Sequence, residues 1–125
     1  MRVLTWKNAA RRLAIAGLAA GFALLAGATA NAQQLDEGWW IVLGSFPTEP
    51  WERQASDLET MHLKARPCRL EPFNDFSAKF EGFRPGYNVF VVGAYASKGE
   101  AQNKLLMVRS CFADAYVKYG RYLGE

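Results

Sequence analysis

Histidine is nearly missing from this chain: His62 is the sole copy in 125 residues, beside only two cysteines, Cys68 and Cys111. No set of His, Cys, Asp and Glu therefore stands at metal-ligand spacing, and a zinc centre is not expected. Glycine-rich phosphate loops and a nucleophile elbow are missing too, which removes the usual sequence signs of nucleotide binding and acyl transfer. His62 falls on an apolar helical stripe, where a packed or partly exposed helix residue is a simpler reading than a general base. Glycoside hydrolysis needs two carboxylates at a fixed separation. Glu71, Asp75 and Glu81 lie near one another in sequence, but a solvated loop explains them more simply. No enzyme and no cofactor are expected.

Long hydrophobic runs are also lacking. The longest small and apolar run, Leu13 to Ala26, falls short of the roughly 20 residues that cross a bilayer. It follows Arg2, Lys7, Arg11 and Arg12 and precedes two small-x-small sites, Ala28-Thr29-Ala30 and Ala30-Asn31-Ala32. That is the order of parts in a signal peptide. Residues 1–32 are read as a signal peptide cleaved after Ala32, with Ala30 as the other site, and residues 33–125 as one exported, periplasmic domain. Arg11-Arg12 adds the twin-arginine route as an alternative to general export.

An excess of positive charge disappears with the signal. Four of the fifteen Lys and Arg residues lie in residues 1–32, leaving eleven against twelve Asp and Glu. A basic footprint for nucleic acid or anionic lipid is therefore not expected, nor is membrane insertion of the mature chain.

Aromatic and β-branched residues are what the mature sequence has. GWWIVLGSF, residues 38–46, reads as a strand ended by Gly44, and YNVFVVGAY, residues 87–95, repeats its style with Gly93 in the place of Gly44. Each is followed by a helical pattern. In the first, Thr48 is a candidate N-cap, Trp51, Ala55, Leu58 and His62 form an apolar stripe of helical period with Met61 and Ala65 alongside, and Arg66-Pro67 ends it. The second opens on the capping box Ser97-Lys98-Gly99-Glu100 and continues through Ala101, Leu105, Val108 and Phe112. CRLEPF, from Cys68, reads as an edge strand interrupted by Pro72. A loop rich in phenylalanine (Phe73, Phe76, Phe80, Phe83) follows it, and DAYVKYGRYL reads as a final strand. The expected order is β-α-β-β-α-β, with WIVLGSF and VFVVGAY as a twofold pseudo-repeat 49 residues apart.

The turns LGSF and VGAY, each ending a strand and opening a helix, resemble the sporulation-related repeat (SPOR) domain over about residues 39–123; VFVVGAYASKGEAQNKL is the best-matched segment. The resemblance implies an α+β fold, ferredoxin-like or SPOR-like, with a four-stranded antiparallel sheet backed by two helices on one face. It also implies a non-catalytic module whose open sheet face binds peptidoglycan glycan strands, typically those stripped of stem peptides at the division site. Two positions depart from the family pattern: Val42 stands where Gln is common, and Val91 where a polar or basic residue is common.

Strand alternation places Trp39, Ile41, Leu43, Phe90 and Val92 toward the helices, and Trp40, Val42, Tyr87, Val89 and Val91 on the other face. So apolar a face demands a cover. Three are open: the phenylalanine-rich loop folded back, a second copy of the chain in a homodimer, or a ligand, with Trp40 and Tyr87 stacking on sugar rings. Asn74, Phe76, Lys79 and Arg84 flank that face and complete the candidate binding set of Trp40, Val42, Tyr87 and Val91. Tyr116 and Lys118 share one face of the last strand, and the pattern leaves its direction open. A protein-interaction or homodimerisation module of the same fold, binding an envelope protein or itself, is the alternative function.

Cys68 and Cys111 have two readings. An oxidising compartment favours a bridge, worth roughly 3 to 4 kcal/mol for a loop of about 40 residues. Against it, the expected helix layout puts the ends of the two helices at opposite ends of the domain, beyond disulfide reach.

Overall fold

The structure is a computed structural model that describes residues 34–124. The expected signal peptide lies outside the described residues. Aromatic and β-branched runs form the two long strands, β1 (Glu37–Pro47) and β4 (Tyr87–Tyr95), because such side chains pack well on a pleated surface. Between them come helix α1 (Gln54–Ala65) and two short strands, β2 (Phe73–Phe76) and β3 (Phe80–Glu81). Helix α2 (Lys98–Val108) and strand β5 (Tyr116–Tyr122) follow β4. The sheet is antiparallel and curled, in the order β2-β4-β1-β5-β3. Among the described residues, no helix is long and apolar enough to cross a membrane.

The sheet thus has five strands where four were expected. The short strand begins at Phe73, not Cys68, because Arg66–Cys68 closes α1 as a 3-10 turn and Arg69 takes a left-handed φ of 54°. The expected loop holds the fifth strand, β3. Only the turn Ser77–Lys79 separates β2 from β3, yet β2 pairs with β4 at one edge of the sheet and β3 with β5 near the other. Segment 73–81 is therefore a strap carried from edge to edge. Its fastenings are Tyr122 Oη donating to Asp75 Oδ2 (2.6 Å), the Leu123 N–H donating to the Lys79 carbonyl (2.8 Å), and the Tyr87 N–H donating to Ser77 Oγ (3.0 Å).

The sheet divides the apolar interior into two layers, and the strap covers the second. Ile41, Leu43 and Phe90 meet Met61 and Ala65 of α1, and Ala101, Leu105 and Val108 of α2. On the other face, Trp40, Val42, Val89 and Val91 meet Phe80, with Phe83, Tyr87 and Tyr122 against them. Both layers have the membership that strand alternation predicts. A bulge between Val42 and Gly44 shifts the parity of β1 by one residue, which returns Phe46 to the helix side. At Gly44 a Cβ would stand 2.8 Å from Met61 Cε, so the methionine fills the space that the glycine leaves.

Two helix expectations fail. Of the apolar stripe, Trp51, Ala55, Leu58 and His62 are exposed, Trp51 by 66%, and only Met61 and Ala65 face inward, joined by Asp57. Asp57 is tolerated there because it lies in the first turn, where the helix dipole favours an anion, and Arg53 reaches it at 3.6 Å. Thr48 does not cap the helix; its N–H donates to the Gly86 carbonyl (3.2 Å), and a 3-10 turn, Trp51–Arg53, leads into α1. Ser97 does cap α2, accepting the Glu100 N–H on Oγ at 3.1 Å.

The C-terminal ends of the helices meet: Lys64 Nζ lies over the Phe112 ring, and Cys68 and Cys111 form a disulfide with Cα atoms 6.3 Å apart. The expected separation of the helix ends is thereby overturned. The 3-10 turn after α1 carries Cys68 to the turn that follows α2, where Cys68 Sγ is also 3.4 Å from Ser110 Oγ.

Candidate functional site

A curled sheet sealed by a strap leaves two mouths, one at each end of the β1, β4 and β5 strands. The closed layer lies between them.

The first mouth forms where β1 ends and β4 and β5 begin. Ser45, Phe83, Arg84, Tyr87, Tyr116 and Lys118 line a cleft of about 210 Å³. Strand parity puts Tyr116 and Lys118 on the strap side of β5, since Val117 packs toward the helices. Arg84 comes from the turn before β4, and Lys118 Nζ lies 5.8 Å from the centre of the Phe83 ring. Two cations beside the rings of Phe83, Tyr87 and Tyr116 suit a ligand with an anionic group and an apolar sugar face. So small a volume takes one substituent, not a whole sugar.

At the second mouth, β1 begins and β4 and β5 end. Asp36, Glu71, Phe73, Tyr95 and Tyr122 line a cavity of about 500 Å³, with Trp40 at the back. Burial, and then the nearby Glu100 carboxylate, raise the Tyr95 hydroxyl above its ordinary pKa.

Of the candidate binding residues, the structure brings Arg84 and Tyr87 together in the first cleft. Trp40 (3% exposed), Val42 and Val91 belong to the closed layer, and Trp40 Nε1 donates to the Gly120 carbonyl at 3.0 Å. They form no open platform, because Phe80 of the strap occupies that face, 5.4 Å from Trp40 and edge-on to it. Asn74 is half-buried and donates to Asn88 Oδ1 (3.4 Å). Phe76 projects outward from the strap, and Lys79 pairs with Asp75 at 3.4 Å. Asn74, Phe76 and Lys79 are therefore strap residues, placed outside both mouths. Burial pushes the Asp75 carboxyl up, but hydrogen bonds from Tyr122, the Phe76 N–H and Lys79, with the charge of Lys79, outweigh it and hold the pKa below 3.8.

Lys118, Tyr116 and Phe83 were not among the candidates, and the signal for the first two was partly present. They share a strand face, but only the curl of the sheet shows that this face meets Arg84. Nothing in the pattern announced the acidic mouth, whose residues come from five separate segments. Among the described residues, no group of three His, Cys, Asp or Glu side chains could hold a metal ion.

Comparison with known proteins adds no relative: no family model, no curated protein and no solved structure matches this chain.

Proposed function

We propose that this chain is an exported, non-catalytic module of SPOR-like fold that binds peptidoglycan glycan strands at the basic cleft. The observation that carries the reading is the convergence of Arg84 and Lys118 with Tyr87 and Tyr116 in a cleft sized for one sugar substituent. A glycan stripped of its stem peptides presents such a group, the lactyl carboxylate of its muramic acid units. Aromatic rings suit the C–H face of the neighbouring pyranose, and guanidinium and ammonium groups suit the carboxylate. The disulfide fits an exported protein.

The departures at Val42 and Val91 then have a physical reason. Both positions are buried beneath the strap, where an unpaired glutamine would cost about 1 to 3 kcal/mol. In this reading the ligand site has moved from the centre of the sheet to its mouth.

The test is a pulldown with peptidoglycan sacculi, with and without amidase treatment, using the wild type and the double variant R84A/K118A. Enrichment that rises after amidase and is lost in the variant is expected. No enrichment in either pellet would remove the reading.

A second reading, an interaction or homodimerisation module, is favoured by the exposed stripe Trp51, Ala55, Leu58 and His62 on and just before α1, with Leu63 nearby. Light scattering distinguishes it, since a monomer at all concentrations counts against self-association through that stripe.

A further inference from the structure

The acidic mouth has no part in the proposal above, and its chemistry is opposite to that of the basic cleft. Among the described residues, its only formally charged side chains are carboxylates, Asp36 and Glu71, and neither Lys nor Arg lines it. Among the described residues, no hydrogen bond or ion pair engages either side chain. Four aromatic side chains share its wall, Phe73, Tyr95, Tyr122 and, at the back, Trp40, beside the aliphatic Leu35 and Val92. Single-signed carboxylates next to π faces attract a cation twice, through charge and through the ring quadrupole. The volume of about 500 Å³ is that of a small-molecule site.

One further contact narrows the cation. The Gln34 side-chain amide, which also lines this cavity, donates an N–H to the Gly93 carbonyl at its rim. An N–H donor therefore already stands where a ligand would enter, facing an acceptor. A primary ammonium has three N–H donors for Asp36, Glu71 and the Gly93 carbonyl; a quaternary ammonium has none. We infer that this mouth is a second binding site, taking a primary ammonium on a short apolar stem, such as the end of a lysine-like side chain or an alkyl diamine. The stem lies against Phe73 and Tyr95, and the ammonium displaces the Gln34 amide. Recognition at this end is independent of the glycan reading, because the two mouths share none of the described residues.

The experiment is titration of the 15N-labelled, oxidised protein with n-butylammonium, followed by amide and indole resonances. Butyrate and tetramethylammonium serve as the other arms. Saturable shifts are expected at Gly93, Ala94, Tyr95 and the Trp40 indole, with a dissociation constant on the order of 1 mM for so small a ligand. In the double variant D36N/E71Q, both sites being exposed, binding should weaken roughly tenfold or more while resonances far from the mouth stay in place. Shifts that fail to saturate, that appear equally with tetramethylammonium or butyrate, or that persist unchanged in the variant would each overturn the inference. Sacculus binding by D36N/E71Q is expected to equal wild type, which keeps this test separate from that of the basic cleft.

Discussion

Replacing Phe80 with alanine strikes the strap where it seals the sheet. Phe80 is 2% exposed and lies among four rings, with centroids 4.8 Å from Phe83, 4.9 Å from Tyr122, 5.4 Å from Trp40 and 6.3 Å from Phe73. Removing a buried phenylalanine costs about 3 to 5 kcal/mol, from lost transfer free energy and from the cavity left behind. A domain of this size has only about 5 to 15 kcal/mol in total, so about a fifth or more of it is at stake. Urea unfolding with the disulfide intact should show the midpoint lowered by roughly 2 M, at a slope of about 2 kcal/mol per M. Phe76, on the same strap but 44% exposed, is the control, and Phe76→Ala should move stability by no more than about 0.5 kcal/mol. If Phe80→Ala also stayed within about 1 kcal/mol of wild type, the strap would not be what covers the second face.

Other expectations follow from the same contacts. Reducing the Cys68–Cys111 bridge, which spans 43 residues, should cost up to about 4 kcal/mol on the chain-entropy account, read as a drop in Tm with added thiol. At Gly120 a Cβ would meet Phe83 Cε1 at 2.7 Å and the Glu81 carbonyl at 3.0 Å, so Gly120→Ala should lift the strap and cost about 1 to 3 kcal/mol in the same urea assay. Asp75 titrates below its ordinary 3.8 in the folded state. The stability it contributes is present above that value and is lost as pH falls through the lower folded one. Asp75→Asn should therefore lower stability at neutral pH and flatten the acid limb of the stability–pH curve.

Much of the sheet was legible because alternation holds up to the bulge at Val42–Gly44: Trp40, Val42, Val89 and Val91 on one side and Ile41, Leu43 and Phe90 on the other follow from a period of two. The first helix was not, because its sequence carries two faces at helical spacing. The greasier one, Trp51, Ala55, Leu58 and His62, faces water; the one holding Asp57, Met61 and Ala65 faces the sheet, where Met61 fills the gap at Gly44. Side-chain pattern alone does not register such a fit. The strap escaped for another reason: β3 is two residues long, and its partner in β5 lies some forty residues away. The disulfide turned on how the helix ends converge, a tertiary fact with no local trace. Arg84 and Tyr87 of the basic cleft were visible as candidates, whereas Lys118 needed the curl to bring it beside them.

The most direct test of the central claim, that the chain's own phenylalanines seal the second face of the sheet, is acrylamide quenching of Trp40 as the sole tryptophan, with Trp6, Trp39 and Trp51 replaced by phenylalanine. Blue-shifted emission and a quenching constant several-fold below that of the matching variant keeping only Trp51 are predicted. Emission near that of free tryptophan, quenched as readily as Trp51, would contradict the account.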